Sequence, residues 1–162
     1  MRLAPLVPLP PLLLLPLLLP DAAQAQPLAL PVTPACISSP FGPRELANPR
    51  ASGDHKGIDI PAPAGTWVRA VAAGTVTAIR RTRAGTGLEV ELRHADGLVT
   101  RYAHLGTVAP TLANGRRRLA EGEALGRIGR SGITTGTHLH LEVLREGRHL
   151  DPAPFLPIAP CP

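Results

Sequence analysis

Two histidines stand one residue apart in the stretch Thr134-Thr135-Gly136-Thr137-His138-Leu139-His140-Leu141-Glu142-Val143. Its second half alternates, with Leu139, Leu141 and Val143 in one phase and His138, His140 and Glu142 in the other. Side chains two apart on a strand share a face. The pattern therefore predicts a strand that anchors its apolar row in a core and holds both imidazoles side by side. Such a pair can place one metal ligand beside one acid–base group. A bare His-x-His also suits a solvated sheet face, so other residues have to decide.

Two further clusters bear on it. In His55-Lys56-Gly57-Ile58-Asp59-Ile60, Ile58 and Ile60 face one way and Asp59 the other, and Gly57 is expected to allow a turn that brings His55 back towards Asp59. Imidazole and carboxylate are both good zinc ligands. Alone, His55 could cap a loop and Asp59 could pair with an arginine or lysine. Tyr102-Ala103-His104-Leu105 ends a predicted strand in which Thr100, Tyr102 and His104 share a face, with His104 projecting into a cleft. Together the clusters supply four imidazoles and one carboxylate. A catalytic zinc takes three protein ligands and keeps one position for water. Two imidazoles would then remain for proton transfer and oxyanion stabilisation.

The elements that must position these groups read as short strands. Residues 68–79 form two strands around Ala73-Gly74. Residues 88–92 alternate Leu88, Val90 and Leu92 against Glu89 and Glu91, and Asp96-Gly97 turns the chain into a strand over residues 98–104. Residues 125–128 are a further strand, and no amphipathic helix is evident. Short, evenly spaced strands predict an all-β fold, an antiparallel β-sandwich or barrel-like single domain with Gly-rich loops and the metal site in a groove on the sheet.

Residues 1–25 read as a signal peptide: Met1-Arg2, then a Leu- and Pro-rich run, then Ala23-Gln24-Ala25 as a small-x-small cleavage pattern. Interior prolines oppose a permanent transmembrane helix, so no stable membrane anchor is expected after cleavage. Residues 26–35 read as an extended Pro-rich linker, 36–157 as the domain and 158–162 as a C-terminal tail; the Pro-rich end from residue 151 should lie over the fold. Export makes a Cys36–Cys161 disulfide reasonable, and closing so long a loop would contribute roughly 4 kcal/mol. The formal net charge is +5, yet aromatics make up only 2%. That balance argues against nucleic acid, which needs stacking aromatics or a recognition helix beside its basic patches. A polyanionic cell-surface partner accounts for it better.

At these residues the sequence resembles the lysostaphin/LytM-type zinc metallopeptidases, which cut peptide bonds in bacterial peptidoglycan. The resemblance rests on Ser39-Pro40-Phe41-Gly42-Pro43-Arg44, His55-x-x-x-Asp59, Ala70-Val71-Ala72-Ala73-Gly74-Thr75-Val76, His94-Ala95-Asp96-Gly97, Tyr102-Ala103-His104-Leu105, Gly126-x-x-Gly129-x-Ser131-Gly132 and the stretch from Thr135 to Val143. One departure is Thr137, where the family usually has proline. The resemblance implies an exported endopeptidase that hydrolyses peptidoglycan cross-links or stem peptides through a zinc-activated water. It implies one Zn2+ held by His55, Asp59 and His140, with His104 and His138 as catalytic groups beside the open position, and it leaves open which of the two is the base. It also implies a location in the periplasm, cell envelope or outside the cell.

Other residues carry plainer readings. His94 is expected to be structural or exposed, His149 and Lys56 solvent-facing, Arg116-Arg117-Arg118 a solvated loop, and Trp67 a core residue. Arg44 fits substrate contact or a structural ion pair equally. Relatives that have lost their ligands act as non-hydrolytic activators of cell-wall amidases, and that alternative predicts missing ligands. A biotinyl-like carrier needs a lysine at a hairpin tip, whereas Lys56, the only lysine, lies outside any hairpin. A His-Glu-x-x-His helix is absent from the sequence.

Overall fold

The structure, a computed structural model, describes residues 27–44 and 53–162. The signal-peptide reading of residues 1–25 lies outside the described residues. The chain runs β1 (Gly42–Pro43), β2 (Asp54–His55), β3 (Ile58–Pro61), β4 (Trp67–Arg69), β5 (Gly74–Arg81), β6 (Leu88–His94), β7 (Leu98–Val108), a one-turn α1 (Pro110–Ala113), β8 (Arg118–Leu119), β9 (Ala124–Ile128), β10 (His138–Arg145) and β11 (Arg148–Leu150), then a 3-10 turn over Ala153–Phe155. This is the all-β antiparallel architecture the spacing predicts. Among the described residues no helix is long and apolar enough to cross a membrane.

The main sheet has the order β11-β10-β7-β6-β5-β8, with β3 on β10 and β9 joining β4 to β7. Two strands change partner along their length. β10 pairs β3 through His138–Leu141 and β11 through Val143–Arg145. β7 pairs β10 through Ala103 and β9 from Leu105 onward. These changes let one sheet fold around a single core. Val68 on β4, Val90 and Leu92 on β6, Leu98 and Tyr102 on β7, Leu125 on β9, and Leu139, Leu141 and Val143 on β10 are all 1% exposed or less. Each such aliphatic side chain contributes about 1.5–3 kcal/mol by leaving water.

Several expectations are corrected by packing. Leu28 and Val32, in the stretch read as a linker, are buried, and that stretch hydrogen-bonds to Phe155, Val71 and Arg69. The C-terminal end lies over the fold as expected, with Leu156 buried and Pro160 bridged to Ile37, and the expected Cys36–Cys161 disulfide is formed. Trp67 is half-buried outside the core, and the Arg127 guanidinium lies 3.6 Å above its ring; a strand-edge indole gains a cation–π contact there instead of full burial. Within the predicted arginine loop, Arg118 of β8 pairs with Thr75 of β5, while Arg116 bonds Glu123. His94 is structural. Its ring joins the Ala73 carbonyl to the Thr100 hydroxyl, which in turn bonds Tyr102.

Candidate metal centre

The three sequence clusters meet at one point. β3 lies against β10 with Asp59 opposite His140, and β2, paired with β1, delivers His55. Three donor atoms converge there. His140 Nδ1 is 2.9 Å from Asp59 Oδ1, His55 Nε2 is 3.0 Å from His140 Nδ1, and His55 Nε2 is 3.2 Å from Asp59 Oδ1.

The outer hydrogen bonds decide where the ring protons are. His55 Nδ1 lies 2.7 Å from the Pro40 carbonyl, which can only accept, so this nitrogen carries the hydrogen and Nε2 faces inward as a lone pair. His140 Nε2 lies 3.2 Å from the Glu142 carboxylate, so the hydrogen sits there and Nδ1 faces inward. Arg44 donates to the other oxygen of Asp59 at 3.3 Å and to Ser39 at 2.8 Å. That resolves Arg44 as a structural ion-pair partner. Three electron-rich atoms thus face one another, and only a cation, a proton or a metal ion, satisfies them. The same pressure acts on their acidities. Burial works to lower the His140 pKa, but the bonds to Asp59 and Glu142 overcome it and push it up to about 9. Burial works to raise the Asp59 pKa, but its contacts with His140 and His55 favour the charged form and hold it well below the usual carboxylate range.

Two imidazole nitrogens and one carboxylate oxygen are a donor set suited to zinc, and the edge of a zinc tetrahedron with these ligands is roughly 3.3 Å. The observed 2.9–3.2 Å spacings match that within a few tenths of an ångström. The cluster His55, Asp59 and His140 could therefore hold such a metal ion as it stands.

His104 and His138 stand beside it, their rings 4.9 Å apart and T-shaped, with His104 5.9 Å from His140. His104 does not share a face with Tyr102 as strand alternation predicts. Its φ is +58° and the β7–β9 register shifts just beyond it, a bulge that turns its ring towards the site while Tyr102 stays in the core. Its Nδ1 donates to the Ser131 carbonyl at 2.8 Å, leaving Nε2 as the free lone pair. Burial first, then the like charges of His138 and His140, push its pKa down to about 4, against the pull of Ser131 and Asp59. The Thr134 hydroxyl gives its hydrogen to the Gly136 carbonyl at 2.7 Å, so at 3.2 Å it accepts from His138 Nδ1. His138 Nε2 then points inward, 3.5 Å from Asp59 Oδ1. Burial lowers the His138 pKa, although Asp59 opposes it. Both flanking imidazoles are accordingly neutral bases near pH 7.

The alternation that placed His140 and Glu142 on one face also marked Glu142 as a neighbour, though sequence reading gave it no role. Ser131 lay inside a quoted motif without one. Its hydroxyl accepts from Leu88 N at 2.8 Å and donates to the Leu105 carbonyl at 2.7 Å, so the loop carrying the His104 anchor is fastened to β6 and β7. His149, expected in solvent, bonds Glu142 at 3.0 Å because β11 turns it back over β10.

The profile of Peptidase family M23 matches residues 53–152. The chain belongs to peptidase family M23. All five predicted site residues of this M23 chain fall within that match. It is 41% identical over 116 residues to the DD-carboxypeptidase/endopeptidase Mpg of Neisseria meningitidis, an alignment covering 72% of this chain but 26% of Mpg. The chain thus spans about a quarter of that relative's length. Its fold is similar to a zinc-containing peptidase from Vibrio cholerae, with TM-score 0.66 and 27% identity over 78% of this chain and 39% of the other. It is also similar to the catalytic domain of the antimicrobial peptidase lysostaphin from Staphylococcus simulans, with TM-score 0.64 and 26% identity over 75% of this chain and 91% of that domain.

Proposed function

We propose that this M23 chain is an exported zinc metallo-endopeptidase that hydrolyses peptide bonds, in cross-links or stem peptides, of bacterial peptidoglycan. The observation that carries the reading is the convergence of two imidazole nitrogens and one carboxylate oxygen, 2.9–3.2 Å from one another, beside two further imidazoles. His55, Asp59 and His140 would hold the zinc ion. When bound, zinc supplies a Lewis acid that polarises the scissile carbonyl and makes water a nucleophile near neutral pH. His104 and His138 each present Nε2 to the space beside the three ligands. One of them takes the proton of the attacking water and returns a proton to the leaving amine. Once protonated, either ring donates to the oxyanion that develops on the carbonyl.

Export rests on the signal-like residues 1–25 and is supported by the disulfide, which persists in oxidising compartments. The substrate class is supported by the printed activity of Mpg, and the net charge of +5 suits an anionic envelope. An amidase-activator role calls for a degenerate ligand set, and this one is complete. The test is mass spectrometry of cross-linked peptidoglycan incubated with residues 26–162, with and without a zinc chelator. Chelator-sensitive conversion of cross-linked to uncross-linked fragments is expected. Zinc-loaded protein that leaves every fragment intact would overturn the endopeptidase reading.

A further inference from the structure

The face of the sheet that carries the metal centre is not a solvated polar face. Glu89, Glu91 and Glu142 are each 9% exposed or less, although glutamates are among the residues least often buried without partners. They form a continuous row of alternating charge across four strands. Glu142 on β10 lies opposite Arg101 on β7, and Arg101 lies opposite Glu91 on β6. Arg101 donates to Glu142 at 3.3 Å and to Glu91 at 2.9 Å. Arg80 on β5 closes the row, reaching Glu91 at 3.2 Å and Glu89 at 3.0 Å, while Thr77 donates to Glu91 at 2.7 Å.

The row ends on the metal centre. Glu142 uses one oxygen for His140 Nε2 and the other for Arg101 and His149. Each carboxylate oxygen is therefore committed, and the side chain has no freedom to rotate away from the imidazole. A ligand's outer N–H fixes which nitrogen faces the metal and how the ring is aimed. Were the His140 hydrogen on Nδ1 instead, one of the three donor atoms would be lost to the metal.

We propose that Glu142 is a positioning residue for His140, held in place by Arg101 and, through it, by the charge row on β6 and β5. The inference rests on the metal-site reading above. It assigns to the sheet face a purpose beyond stability: four strands brace one ligand.

The test is zinc affinity, measured on metal-stripped protein by competition with a chromogenic chelator. Glu142→Ala should bind zinc about 10–100-fold more weakly than wild type, the usual effect of removing such a partner. Glu142→Gln keeps an oxygen that accepts from His140 and should lose less; it also carries the test if the alanine variant does not fold. Arg101→Gln should fall between Glu142→Gln and wild type, and Arg80→Gln, at the far end of the row, should show the smallest loss of the four. In zinc-loaded protein with 15N-labelled histidine, the His140 Nε2–H signal should be slow to exchange in wild type and fast in Glu142→Ala. Wild-type affinity and slow exchange in both Glu142 variants would overturn the proposal. So would an Arg80→Gln loss as large as that of Glu142→Ala, since that would be general loosening. Wild-type protein that binds no zinc would instead remove the metal-site reading, and this one with it.

Discussion

Adding one methyl group at Gly57 should take the metal centre apart without touching a ligand. Gly57 sits between His55 and Asp59 where β3 runs against β10. Its φ is not in the left-handed region, so the turn expected from sequence is not what demands glycine. Close approach is: an ideal Cβ at Gly57 would lie 2.2 Å from the Leu141 carbonyl oxygen and 3.0 Å from Cε1 of His140. A carbon and a carbonyl oxygen meet at roughly 3.3 Å, so β3 and β10 must separate by about 1 Å. Metal–ligand distances tolerate only about 0.2 Å. The shift would draw His55 and Asp59, two of three ligands, away from His140. Gly57→Ala should therefore weaken zinc binding by at least about 100-fold, equivalent to about 2.7 kcal/mol, and overpacking should cost a further 1–3 kcal/mol or so of fold stability. Chelator competition measures the first and thermal unfolding of the metal-free protein the second. Gly53→Ala, whose Cβ would meet nothing nearer than 3.9 Å, is the control. Wild-type zinc affinity in Gly57→Ala would refute the reasoning, because the ligand triangle would then not depend on that contact.

His140→Ala should lose both zinc and turnover, whereas His104→Ala should keep zinc and lose turnover by about 100-fold or more; metal content and peptidoglycan digestion separate the two. Replacing Cys36 and Cys161 by serine opens a loop of sequence separation 125. Melting should then fall by on the order of 10–20 °C, with digestion at low temperature unchanged. Burial works to raise the Glu91 pKa, but bonds from Thr77, Arg101 and Arg80 hold it below its ordinary 4.5. A depressed carboxylate stabilises the fold above its unfolded pKa, and that contribution is lost as pH falls through the folded value. Glu91→Gln should thus melt lower at pH 7 and show a shallower loss of melting temperature than wild type below about pH 4.5.

Sequence carried the fold a long way and named the five residues that the structure brings together at the candidate site, because both depend on periodicity and residue type. The alternation from His138 to Val143 defined β10, its core row and its ligand face, and Asp96-Gly97 marked the β6–β7 turn. What it missed depends on three-dimensional coincidence. Strict alternation put His104 beside Tyr102, since nothing in the local string announces the bulge and positive φ that turn its ring. The tautomers are set by the carbonyls of Pro40 and Ser131, and a backbone acceptor leaves no residue-type signal. The burial of Glu89 and Glu91 was not legible because their counter-ions, Arg80 and Arg101, come from other strands. Leu28 and Val32 were hidden by the prolines around them, which suggested a linker where the chain in fact covers the core.

Anomalous diffraction at the zinc edge from crystals of the zinc-loaded protein tests the central claim most directly. The account predicts one peak per chain, within about 2.0–2.2 Å of His55 Nε2, Asp59 Oδ1 and His140 Nδ1, with His104 and His138 beside it and unligated. A peak bound instead through His104 or His138, or none at this cluster, would contradict it.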